Sequence, residues 1–241
     1  MHRSLGRLSG LVGLAFAGAS CAGTPLAVEG FYDRRVPEKI ELQQWEGSET
    51  ELSDTELSRA GLQVGLSDPD GFYRLWLQFY GEQVDAQMPE GPADFSGLGA
   101  GFGVSGRRIQ GVVEKDSTLL IPYHIELNAT EASGSSRPRA DLEYDRFFYR
   151  EAYFHLGLGA EWKPLIVTAG WAVQFTDGRV DAIETVSGEE FFRRNTLNGL
   201  NHGPFVTIGF VLADEQQPIR VELRLGGGDL EEIRLGIGVG Y

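Results

Sequence analysis

Beyond residue 22 the sequence alternates, and the alternation has a period of two. Leu119, Ile121, Tyr123, Ile125 and Leu127 share one parity; Pro122, His124, Glu126 and Asn128 share the other. Leu165, Val167, Ala169, Trp171, Val173 and Phe175 repeat the pattern, as do Ile219, Val221, Leu223 and Leu225 against Arg220, Glu222 and Arg224. Side chains of an extended strand point alternately to its two faces, so this pattern predicts strands with one apolar face. The same reading gives strands over 57–67, 72–81, 95–105, 149–161 and 203–213, and a fainter one over 37–46. No stretch of 18 apolar residues follows residue 22, which excludes helical membrane spans. Residues 180–195 are left as a candidate short helix in a loop.

The links between these strands alternate in length. Short ones, rich in turn formers, sit at 67–71, 161–164 and 213–217; longer polar ones sit at 83–94, 130–148 and 176–202. A barrel with short turns at one end and long loops at the other produces that order.

Composition narrows the setting. Residues 1–22 combine Arg3 and Arg7, an apolar core from Leu8 to Ala19 and small residues after it, the anatomy of a secretory signal. Cys21, the one cysteine, lies at its end, so no disulfide forms within the chain. Gly18-Ala19-Ser20-Cys21 is similar to a lipobox, which would lipidate Cys21; cleavage after Ala22 would remove it. The formal charge is -14, and nearer -16 without residues 1–22, which argues against a nucleic-acid partner. No metal cluster or cofactor motif is visible. Lysine occurs only at 39, 115 and 163, which does not suit a solvated exterior.

The apolar faces run for about 9–11 residues, the length of a tilted strand crossing hydrocarbon. Tyr73, Phe79, Trp162, Trp171, Phe175 and Tyr241 lie near strand ends on the apolar parity, as interfacial girdles do. The ending IRLGIGVGY resembles the C-terminal signal of outer-membrane proteins, with Leu235, Ile237, Val239 and Tyr241 at the expected positions. The resemblance is to Gram-negative outer-membrane β-barrels as a broad class. It implies an outer-membrane location, lipid and lipopolysaccharide as surroundings, and engagement of the barrel-assembly machinery by the last strand. The fold expected is an all-β, closed, antiparallel up-and-down transmembrane barrel. Closure removes the free edges that a membrane does not tolerate. Ten strands result when 37–46 is counted, with eight as the alternative. Residues 1–22 are then a signal peptide, 23–36 a periplasmic lead-in and 37–241 the barrel.

Parity sends Arg74, His124, Glu126, Glu151, His155, Arg220, Glu222, Arg224 and Arg234 into the lumen, together with Arg59, Gln63, Gln78, Asn128, Tyr153 and Gln174. Buried charges demand partners, so these groups are expected to pair across the axis. The function this suggests is a filled barrel with a structural or surface-interaction role. A narrow pore for small anions, selected by Arg74, Arg220, Arg224 and Arg234, is the alternative. A lipid-modifying enzyme is a third reading, resting on the outward-facing His202, with no serine partner at a recognisable spacing.

Overall fold

A computed structural model describes residues 26–67, 73–114, 117–212 and 219–239. The signal segment with Cys21, most of the turn 67–71, the turn 213–217 and Tyr241 lie outside the described residues. The strands are β1 (Leu26–Pro37), β2 (Ile40–Gln43), β3 (Glu49–Ser67), β4 (Tyr73–Met88), β5 (Gly91–Glu114), β6 (Ser117–Arg139), β7 (Leu142–Trp162), β8 (Leu165–Val186), β9 (Glu189–Leu212), β10 (Ile219–Gly226) and β11 (Leu230–Val239). Antiparallel pairing runs from β3 through β9 to β10 and β11, and β1 closes the ring between β11 and β3. The result is a ten-stranded closed antiparallel barrel, as the alternation predicts.

The first strand of the ring differs from the expected one. Residues expected to be a lead-in form β1, whereas 37–46 contributes only the four residues of β2. β1 hides its period because its outward residues include Gly30 and Arg34, and its inward ones include Ala27 and Phe31. Arg34 is tolerated on the outer face because its guanidinium grips Glu56 on β3, with Nε 2.7 Å from Oε1.

The long links are also not loops. Residues 83–88, 130–139, 142–148, 176–186 and 189–202 continue the strands, and the hairpins turn only at 89–90, 140–141 and 187–188. The candidate helix over 180–195 is one of these hairpins. At its tip Ser187 and Gly188 both have positive φ, 56° and 86°. Two central residues in that region make the type I′ turn that suits the twist of paired strands.

The strands carry on past the expected boundary because the alternation inverts rather than stops. On β4 the outward residues are Tyr73, Leu75, Leu77 and Phe79, then Gly81, Gln83, Asp85 and Gln87; the inward ones are Arg74, Trp76, Gln78, Tyr80 and Glu82, then Val84, Ala86 and Met88. The lower part is apolar outside and polar inside, and the upper part is the reverse. β7 inverts likewise, from outward Phe154, Leu156 and Leu158 to inward Phe147, Tyr144 and Leu142. The barrel therefore has two storeys. The lower one carries an apolar belt on its outside. In the upper one Ile40, Leu42, Leu52, Val84, Met88, Phe95, Phe147, Val180 and Leu197 belong to one buried apolar cluster. Each large side chain so buried stabilises by about 1.5–3 kcal/mol.

The storeys also differ in strand number. β10 and β11 end at the turn 227–229, and β1 ends beside it. Above that level β2 pairs with β3 on one side and β9 on the other. Eight strands thus close the upper ring. The junction is pinned by backbone: the amides of Gly227 and Asp229 donate to Pro204 and His202, and that of Glu38 to Asp229, at 3.0–3.1 Å. β9 passes so close that a Cβ on Gly203 would fall 1.7 Å from the Gly227 carbonyl oxygen. Lys39 seals the seam, its Nζ 2.6 Å from Asp229 and its amide donating to Asn201 at 2.8 Å. That ammonium holds the Asp229 carboxyl below the usual aspartate range.

Candidate functional site

The lumen of the lower storey is the most chemically loaded part of the molecule. Its space comes from β5, whose inward face carries Gly97, Gly99, Gly101 and Gly103. The Tyr80 ring occupies the place of a Cβ at Gly99, and Trp76 that at Gly103, at 2.1 and 2.4 Å. Large side chains from β4 thus lean across a strand that has none.

Just below the apolar cluster lies an ion-pair network centred on Glu151. It accepts Arg59 at 3.0 and 3.1 Å, Gln174 at 2.5 Å and Asn128 at 3.1 Å, and is gripped by Arg35. Arg59 also reaches Glu82 at 2.8 Å and the Tyr149 hydroxyl at 2.5 Å. Arg35 pairs with Asp33 at 2.7 Å and lies over the Tyr153 ring, 4.4 Å from its centroid. Glu126 is the second hub, taking His124 at 3.0 Å, Arg234 at 3.1 Å and Gln78 at 3.0 Å. Tyr153 donates to Glu232 at 2.6 Å. Arg35, Arg59, Glu126 and Glu151 are between 0% and 3% exposed. Burial of that many charges is supportable because each hub carboxylate faces a guanidinium, Arg35 and Arg59 at Glu151 and Arg234 at Glu126, although both Asp33 oxygens and two Arg35 nitrogens make no hydrogen bond.

Below the network, toward the end where β1 starts and β11 finishes, a cavity of about 140 Å³ remains. Arg74, His124, His155, Arg220, Glu222, Arg224 and Arg234 line it. Hence the nine lumenal residues named from sequence fall into two groups. Glu126 and Glu151 sit in the network and the other seven sit around the cavity, with His124 and Arg234 touching both. Asp33, Arg35, Glu82, Tyr149 and Glu232 complete the network and escaped the sequence reading. Glu82 and Glu232 share the parity of Gln78 and Arg234 and stand just beyond, or at the edge of, the strands as read. Asp33 and Arg35 lie on the concealed β1.

Tyr73, Phe79, Trp162, Trp171 and Phe175 all point outward and are between 48% and 61% exposed. Tyr73 and Trp162 lie at the terminal end of their strands, and Phe79 and Phe175 at the opposite edge of the apolar belt. Trp171 sits beside His202, ring centroids 5.9 Å apart. His202 faces outward too, its Nε2 3.5 Å from the Asp229 carboxylate.

A closed sheet with hydrocarbon side chains outside and charge inside is the reverse of a water-soluble barrel, and only a lipid surround makes it stable. The chain is a β-barrel of the outer-membrane type. Solved structures similar to this barrel include the transport unit of the autotransporter AIDA-I from Escherichia coli, at 13% identity and TM-score 0.41 over 92% of each chain. The translocator domain of the autotransporter NalP from Neisseria meningitidis is similar at 11% identity and TM-score 0.38, over 97% of this chain and 95% of that one. The P. putida toluene transporter TodX follows at 9% identity and TM-score 0.24, over 93% and 90%. These likenesses concern the fold alone. No protein-family model matches the sequence, and neither does any curated protein sequence.

Proposed function

We propose that this barrel sits in the outer membrane of a Gram-negative bacterium as a closed element that displays its upper storey at the cell surface. The observation that carries the reading is the inversion of polarity along single strands. The belt ends near Phe79, Leu127, Phe175 and Leu200. Beyond it, β6 continues for 12 further residues to Arg139, roughly 40 Å along the strand. A segment of that length with a polar exterior and an apolar core is built to stand in water above the membrane. With β1 starting and β11 finishing at the opposite end, that end faces the periplasm. Ile233, Leu235 and Ile237 on the outer face of β11 would engage the assembly machinery, and lipopolysaccharide would surround the upper edge of the belt.

The charge network and the apolar cluster above it place buried side chains at two successive levels of the lumen, which favours a display role over a pore. The test is topological. A Ser187→Cys chain in intact cells should react with a membrane-impermeant maleimide, and a Lys163→Cys chain should react only after the outer membrane is breached. Labelling of Lys163→Cys from outside, with Ser187→Cys protected, would reverse the orientation and remove the reading.

A further inference from the structure

The cavity beneath the network has an electrostatic peculiarity. Six arginines of the lumen, Arg35, Arg59, Arg74, Arg107, Arg220 and Arg234, each hold a carboxylate oxygen at 3.1 Å or closer. Arg224 does not. Among the described residues it reaches the Tyr153 hydroxyl at 3.4 Å, and its carboxylates, Glu232 and Glu222, stand at 3.5 and 3.6 Å. Those separations are at or beyond the limit of a hydrogen bond. The Arg224 Nε has no hydrogen-bond partner, although the residue is only 4% exposed.

Two neighbours sharpen the point. Arg224 lies directly across from Arg234 in the β10–β11 register, both facing inward, and like charges so placed repel. His155, across from His124 and stacked on it at 4.9 Å, is 9% exposed, lines the same cavity, and its Nδ1 has no hydrogen-bond partner. Arg224 and His155, each with a nitrogen that has no hydrogen-bond partner, therefore both line one cavity. Its 140 Å³ compares with about 30 Å³ for one liquid water. A buried donor left without an acceptor is costly, and an anion would satisfy it with a charge-assisted bond.

We propose that this cavity is a binding site for a small oxyanion, a phosphate or carboxylate group, held by Arg224 and His155 and closed above by the Glu126–Glu151 network. It is a dead-end site entered from the terminal end of the barrel, and so distinct from a conducting pore. The inference is independent of what the upper storey does at the surface.

The experiment uses the exported chain refolded in detergent, with inorganic phosphate as the probe and chloride of matched ionic strength as the control. The phosphorus NMR line of phosphate should broaden saturably with the barrel present. Arg224→Gln should weaken that binding about tenfold or more, and His155→Phe, which keeps the ring packing, should weaken it severalfold. Retention of the heat-dependent gel mobility of a folded barrel identifies variants that still fold. Among the described residues no hydrogen bond of His155 is lost in His155→Phe, so it remains informative if Arg224→Gln misfolds. Absence of saturable broadening overturns the proposal, as does binding that folded Arg224→Gln and His155→Phe chains leave unchanged. Saturable loss of broadening on adding acetate would show that the site takes carboxylates as well.

Discussion

Glu151 receives two arginines and two amides inside the lumen. Glu151→Gln keeps the volume and removes the charge, leaving the buried Arg35 and Arg59 with only Asp33 and Glu82 as counter-ions within 3 Å. Breaking one partner of a buried pair costs about 3–5 kcal/mol. Urea unfolding of the refolded barrel should show a loss of that order, and a change under about 1 kcal/mol would mean that water compensates the charge. On the outer face of the upper storey, Asp85 and Asp94 stand directly opposite each other on β4 and β5. Partial burial, and then the facing Asp85, raise the Asp94 carboxyl above its usual pKa. An acid that holds its proton more tightly when folded is destabilising once ionised, so its penalty is present at neutral pH and vanishes on acidification. Asp94→Asn should thus stabilise by about 0.2–1 kcal/mol at pH 7, with the gain disappearing below about pH 3.9. Equal gains at both pH values would sink the electrostatic explanation.

At the scale of elements, β2 decides whether the upper ring closes. Its four residues pair on both sides, with β3 through Leu52 and β9 through Leu197, and Ile40 and Leu42 feed the apolar cluster. Proline at position 42 would remove a backbone donor and strain a strand that has no free edge. Leu42→Pro should strip hydrogen-exchange protection from 49–52 and 195–199 and leave 152–158 on β7 protected. Uniform loss along β7 would mean that the two storeys unfold as one unit. Most strands were legible in sequence because a belt of Leu, Phe and Val on one parity needs no context to be seen. Their ends were not, since the partition of polar and apolar swaps faces above Phe79 and Phe154 while the period continues. The Ser187-Gly188 dipeptide was the available hint that 176–202 turns back as a hairpin. β1 was hidden by Arg34, whose exposure depends on Glu56 of a distant strand.

For the molecule as a whole, the proposed closed element would be sealed twice, by charge in the middle and by hydrocarbon above. Parity alone gave the inward direction of all nine lumenal residues named from sequence. It could not divide them between a structural hub and a cavity wall, because that division depends on which side chains meet across the axis. The pairing of Arg35 with Glu151, 116 positions apart, is such a meeting. The most direct measurement of the account is ionic conductance of the refolded barrel in a planar lipid bilayer, with insertion verified separately. Sealed at both levels, the inserted protein should give no steady current above that of the bare bilayer. Stable, long-lived unitary currents would show an open path through Glu151 and Phe147 and contradict it.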